Sequence, residues 1–169
     1  LQNTGEELYM QDITLKNDLP YDPSKDGRAP ALHDTGTKTI CKNVNLMAFQ
    51  DTYYSHKVGG LYYFEGGELH GCVDYLCGNG KVYYNKVKLV NESVKSTHIT
   101  ANSELYVFNN CFVQNDSPSY DWGRAWSDNP VCVFLNTTLS DSGTKMIGTR
   151  WGLNGINCDY SVAGEYGTK

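Results

Sequence analysis

Apolar and polar residues alternate along this chain in short, strand-sized runs. Leu61-Tyr62-Tyr63-Phe64, Lys81-Val82-Tyr83-Tyr84 and Leu105-Tyr106-Val107-Phe108 are clear cases, bounded by Gly, Asn, Asp or Ser. Side chains of a strand point alternately to its two faces, so about half of the tyrosines at 62, 63, 83 and 84 belong inside. A second apolar-ended segment follows each run. It recurs as MQDITL ending at Leu15, CKNVNL at Leu46, FEGGEL at Leu69, YNKVKL at Leu89, FNNCFV at Val113 and FLNTTL at Leu139. The successive spacings are 31, 23, 20, 24 and 26 residues. One period therefore holds at least two strands with turns between them. No stretch of 12 or more residues carries a helical period.

Repeats of this length without helices predict an all-β chain wound as a right-handed parallel β-helix. A β-sandwich is the alternative for many short strands, but it does not require a near-constant period. The long first spacing predicts an insertion, the polar loop Asp18–Arg28 with its two prolines, and solenoid insertions gather on one face. Terminal coils need covering elements, and neither end of the pattern carries one. The expectation is a single β-helix domain, residues 1–169, truncated at both ends.

The repeat also gives a phase. Asp51 lies five residues after Leu46, and Asp74 five residues after Leu69. On stacked coils, which pair about 4.8 Å apart like neighbouring strands, these two carboxylates fall side by side. An aspartate after a strand is more often a turn former; the matched phase is what turns this pair into candidate chemistry.

Composition narrows the classes. Of the 169 residues 40% are hydrophobic, a normal globular fraction, and the 17 glycines and 13 tyrosines suit strands and turns. The net charge is −5, with no Lys/Arg-rich stretch, which argues against nucleic acid as a partner. No run approaches the roughly 20 apolar residues of a membrane span. Six cysteines, at 41, 72, 77, 111, 132 and 158, read as buried or disulfide-bonded. His70, Cys72 and Cys77 lack metal-ligand spacing, so no metal is expected. Sequons occur at Asn91, Asn115 and Asn136.

Three segments in order then carry a family resemblance. Phe49-Gln50-Asp51-Thr52, Gly71-Cys72-Val73-Asp74-Tyr75-Leu76-Cys77-Gly78 and Trp122-Gly123-Arg124-Ala125-Trp126 resemble the GxQDT, GxVDFIFG and LGRPW patterns of the pectin methylesterases. These are carbohydrate esterases built on a right-handed parallel β-helix. Glu165-Tyr166 is similar to the late GEY element of that family, and the resemblance runs from about Leu8 to Tyr166. It implies Asp74 as nucleophile, Asp51 as general acid/base, Gln50 as oxyanion donor, Arg124 as the group holding the nucleophile, and Trp126 as a substrate contact. Trp122 and Tyr53 are further candidates for stacking on sugar, although each is equally a core residue by type. Arg28, in Arg28-Ala29-Pro30-Ala31-Leu32-His33, stands where the family's QAVALR element has a second oxyanion glutamine, and Ala125 replaces the usual proline.

The chemistry fits these residue types. A carboxylate nucleophile must be ionised, and a permanently charged guanidinium beside it favours that form. The neighbouring acid, facing a negative charge, keeps its proton for departing methanol. No metal or organic cofactor is required. The resemblance implies pectin (homogalacturonan) as the partner and a secreted, periplasmic or cell-surface monomer. The competing readings are a related β-helix esterase acting on another acyl or glycan ester, and a non-catalytic polysaccharide-binding β-helix.

Overall fold

A computed structural model describes residues 1–20, 28–93, 96–127, 130–152 and 163–169. Most of the proposed insertion loop and Cys158 lie outside the described residues. The chain forms three parallel sheets that share one core, a right-handed parallel β-helix. The first sheet holds β1 (Gln2–Asn3), β4 (Leu32–Asp34), β7 (Tyr53–Ser55), β10 (Val73–Gly78), β13 (Ser96–Asn102) and β16 (Ser119–Ala125). The second holds β2 (Glu7–Gln11), β5 (Lys38–Lys42), β8 (Leu61–Glu65), β11 (Lys81–Asn85), β14 (Leu105–Asn109), β17 (Val131–Leu135) and β19 (Ala163–Tyr166). The third holds β3 (Thr14–Lys16), β6 (Asn45–Met47), β9 (Glu68–Gly71), β12 (Lys88–Asn91), β15 (Phe112–Asn115) and β18 (Thr138–Leu139). No helix among the described residues is long and apolar enough to cross a membrane.

The repeated segment is the third sheet. Leu15, Leu46, Leu69, Leu89, Val113 and Leu139 pair in register, one above another. All but Leu15 are buried; Leu15, at the end of the stack, is only partly covered. The repeat spacings recur in the backbone as well. Asp12, Asn43, Gly66, Lys86, Asn110 and Asn136 all have positive φ, and each N–H donates to a carbonyl of the next coil. This left-handed corner between the second and third sheets suits Asn, Asp and Gly, which tolerate that conformation. At Gly67 (φ +78) a Cβ would meet the Val44 carbonyl oxygen at 2.2 Å, so the corner also admits no side chain there.

The second sheet supplies an aromatic column inside. Phe64, Tyr84, Phe108 and Phe134 stack in register, with centroids 5.2, 4.5 and 4.2 Å apart in turn. Alternation sends Tyr62 and Tyr84 inward and leaves Tyr63 and Tyr83 on the surface. Some polar residues that face inward are bonded in ladders. Asn91 donates to Asn115 at 3.1 Å and accepts from the Tyr75 hydroxyl at 3.0 Å, so two of the three sequons are structural ladder residues. The five described cysteines are free and buried. Their thiols are pushed up by burial, to about 12 at Cys41 and Cys132 and about 11 at Cys72 and Cys111.

Candidate active site

The site grows from an irregularity in the first sheet. Val73 pairs with His98 and Leu76 with Thr100, so Asp74 and Tyr75 together oppose the single residue Ile99. An extra residue in one strand cannot keep the in–out alternation, and one side chain must be expelled. Tyr75 stays inside, fully buried. Asp74, with φ +49, is the residue turned out. The preceding coil repeats the device. Gln50 bridges Val73 and Tyr53 pairs with Leu76, which sets Asp51, with φ +54, against Asp74. The phase read from the repeat is thus the observed register.

Arg124 comes from β16, two coils further on. Its Nε donates to Asp74 Oδ1 at 2.9 Å and its Nη2 donates to Asp74 Oδ2, a two-pronged grip on one carboxylate. Asp74 is only 3% exposed, so the pair sits largely out of water. The hydrogen bonds to Asp74 hold the Arg124 guanidinium above its ordinary value, with further support from the Asp74, Asp121 and Asp51 charges. The guanidinium also lies over the half-exposed Trp126 ring, 5.6 Å from its centroid.

These residues line one cleft of about 500 Å³. Gln50, Asp51, Asp74, Arg124, Trp126 and Arg28 all face it, together with His33, Tyr54, Cys77 and Asn79. Cys77 is the one thiol there. Burial, then the Asp51 and Asp74 charges, pushes it well above its ordinary value, so it offers no thiolate at neutral pH. The carboxylates are the nucleophiles the cleft provides. Among the described residues no group of three or more His, Cys, Asp or Glu side chains is placed to hold a metal ion.

Two expected sugar contacts are corrected. Trp122 is fully buried, with its ring 4.0 Å from that of Phe134, and belongs to the core. Tyr53 is likewise fully buried, and its hydroxyl donates to Asp34 Oδ2 at 3.3 Å. The physical reason is the extra residue beside the expelled aspartate: strict alternation from Asp51 would turn Tyr53 out, but Thr52 and Tyr53 are both buried, and alternation resumes with Tyr54 facing out. Tyr54, not Tyr53, lines the cleft.

Two histidine pairs escaped the sequence reading. His33 Nε2 lies 2.9 Å from His56 Nδ1, and His98 Nδ1 lies 2.7 Å from Asp121 Oδ2. In both, the partners are 23 residues apart, the same coil spacing that joins Asp51 to Asp74, so the signal was present. Burial raises the Asp121 carboxyl above its ordinary value, partly offset by His98. Gly152 closes over this pair; a Cβ there would come within 2.9 Å of Asp121 Oδ2.

Known proteins resemble this chain in sequence and in fold. A pectinesterase of Arabidopsis thaliana, QRT1, is 28% identical over 147 residues, covering 82% of this chain and 38% of that protein. Pectinesterase 2 of Olea europaea is 28% identical over 149 residues, covering 81% and 40%. The chain therefore spans about two fifths of the length of these curated relatives. Among solved structures, the pectin methylesterase PemA of Erwinia chrysanthemi matches with a TM-score of 0.64 at 26% identity, covering 79% of this chain and 52% of that one. The carrot pectin methylesterase shares the fold with a TM-score of 0.80 at 18% identity, over 96% and 56%. A pectin methylesterase solved with a hexasaccharide gives 0.74 at 23%, over 97% and 63%. The pectinesterase family model matches residues 1–155. With that match over most of its length, the chain belongs to the pectinesterase family.

Proposed function

We propose that the protein hydrolyses the C6 methyl ester of galacturonate in pectin, releasing methanol. The observation that carries this reading is the Arg124 fork on Asp74, set beside Asp51 and Gln50 in one cleft. An Asp74 oxygen attacks the ester carbonyl, and the carbonyl π bond opens to an oxyanion that the Gln50 amide stabilises. The intermediate collapses, the C–O bond to methoxide breaks, and Asp51 delivers its proton so that methanol leaves. Asp51, now ionised, takes a proton from water; the hydroxide attacks the acyl-enzyme and Asp74 departs as carboxylate, restoring the starting state. Two hydrogen bonds from Arg124 hold the Asp74 carboxylate and keep it aimed between the two attacks. Arg28, at the cleft edge, stands as a second donor in place of the family's other glutamine.

Pectin as substrate is supported by family membership and by the hexasaccharide held by a solved pectin methylesterase. Because pectin is extracellular, this reading makes the protein secreted, periplasmic or cell-surface, acting as a monomer. The Arg28 departure favours one second reading, an esterase of the same mechanism acting on a different acyl group.

The test is methanol release from highly methylated pectin by the purified protein, beside Asp74→Asn and a generic acetyl ester. The amide is a poor nucleophile, so Asp74→Asn abolishes turnover. Gln50→Ala costs about 10²–10³-fold in kcat, as for one lost oxyanion donor elsewhere. Equal rates in Asp74→Asn and the parent would remove the nucleophile assignment. Turnover of the acetyl ester alone would favour the second reading, and sugar affinity without turnover a binding module.

A further inference from the structure

One wall of the cleft carries three rings that the proposed reaction does not use. His33 sits in β4, Tyr54 beside it in β7, and His56 follows β7. The His33 and His56 rings meet edge to edge through the 2.9 Å Nε2···Nδ1 contact, with centroids 5.1 Å apart and planes 21° apart. Tyr54 lies under both, 4.8 Å from each and within 8° and 18° of parallel. Gly78, with φ +111, backs the tyrosine; a Cβ there would come 2.9 Å from Tyr54 Cδ2 and 2.1 Å from the Ser55 carbonyl oxygen. The imidazole pair is thus held on a supported aromatic floor, and His33 and Tyr54 face the cleft.

The contact between the two histidines constrains their protons. One N–H must bridge Nε2 of His33 and Nδ1 of His56, because two N–H groups or two lone pairs would repel. The outer nitrogens, Nδ1 of His33 and Nε2 of His56, then share what remains. A neutral pair has one outer donor and one outer acceptor. Adding one proton makes both outer nitrogens donors and gives the pair a single positive charge, with the bridge intact. A carboxylate, which only accepts, is matched by the protonated pair and opposed by the neutral one.

We propose that the His33–His56 pair is a proton-gated subsite for the free carboxylate of a de-esterified galacturonate bound next to the reacting ester. The inference rests on the pectin reading of the cleft. On acidification the site gains affinity for partly de-esterified chains, whose free carboxylates it holds through the outer N–H groups.

The surrounding charges permit one proton and oppose a second. Asp34, on the same strand as His33 but buried and bonded inward to Asn3, Gly36, Thr39 and Tyr53, favours the charged form. Burial, then His56, lowers the His33 proton affinity, and Asp34 offsets this in part. Arg28 faces the cleft and Lys57 follows His56; both cations oppose further charge. From β10 and β16, Asp74 is neutralised by Arg124, and Asp51 lies one residue before Thr52 at the entry to β7. Cys77 and Tyr54 face the pair from the sheet itself and carry no charge at neutral pH, each raised first by burial.

The probe is unesterified trigalacturonate, which the esterase reaction cannot consume, titrated calorimetrically near pH 5 and near pH 8. One added charge about 4 Å from a carboxylate in a water-filled groove predicts about fivefold tighter binding at the lower pH. The double variant His33→Asn/His56→Gln should bind equally at both. On the parent protein, imidazole NMR resonances of His33 and His56 should move with trigalacturonate, reaching half their full change at about fivefold lower concentration near pH 5 than near pH 8. Unchanged pH dependence in the double variant, absence of binding by the parent at both pH values, or motionless imidazole signals would each overturn the proposal. A parent protein that binds in this gated way but releases no methanol from pectin would instead overturn the esterase reading and leave the subsite standing.

Discussion

Arg124→Met removes the grip on Asp74 while keeping most of the side chain's volume. Asp74, at 3% exposure, then loses both hydrogen bonds from the guanidinium. Breaking a fully buried ion pair from one side costs about 3–5 kcal/mol, because the remaining charge stays buried and unpaired. The Arg124 side chain is 25% exposed, so water relieves part of this, and about 2–3 kcal/mol is the better figure. If the nucleophile depends on that support in the transition state, the same energy appears as about a 30- to 150-fold fall in kcat/KM. The loss should split from Trp126, whose cation–π contact at 5.6 Å contributes only about 0.5–1 kcal/mol. The assay pairs initial rates of methanol release with thermal unfolding of four proteins: parent, Arg124→Met, Asp74→Asn and the double variant. In the Asp74→Asn background there is no buried charge to strand, so Arg124→Met should cost clearly less stability than in the parent. Arg124→Lys should recover part of the rate, since it returns the charge without the fork. Additive stability losses, or parental kcat/KM in Arg124→Met, would refute the claim that Arg124 acts through Asp74.

Three further outcomes follow from the same geometry. Tyr53→Phe should lower stability by about 1 kcal/mol through the lost Asp34 bond and spare KM, whereas Tyr54→Ala should raise KM and spare the unfolding temperature; the reverse pattern in melting curves and kinetics would contradict the observed faces. At neutral pH the net charge of −5 should favour highly methylated over sparsely methylated pectin, and added salt should narrow the gap in methanol release at equal ester concentration; a rate that rises as methylation falls at low salt would count against this. The carboxyl of Glu165 is pushed up by burial but pulled lower overall by its bonds to Arg150, so its stabilising contribution is present above the ordinary carboxylate range and is lost as pH falls through it. Denaturant titrations of Glu165→Gln should therefore converge with the parent in strong acid and diverge toward neutrality; a constant gap would show that the ion pair is not the cause.

By itself the sequence determined the period, and the period carried most of the fold. Once Leu46, Leu69, Leu89 and Val113 stand in one buried column, the three sheets and the coil register follow, because stacked coils must pair rung for rung. Asp51 and Asp74 were legible as neighbours for the same reason, and Arg124 through its motif. What the tertiary structure alone decided was which way side chains face next to the aspartates. The extra residue at Asp74, and its equivalent at Asp51, breaks the period-two rule, and a shift of one residue exchanges interior for surface. Hence Tyr53 is core and Tyr54 lines the cleft; Trp122, two residues before Arg124 with Gly123 (φ +146) between them, packs on Phe134 instead of on sugar. The histidine pairs lie between these cases: the 23-residue spacing puts His33 beside His56 and His98 beside Asp121, but only the folded chain brings their nitrogens and oxygens within hydrogen-bond reach. Spacing along a chain sets which coils are neighbours; the left-handed backbone at two aspartates, an energetic detail of a few atoms, sets what those coils present to a ligand.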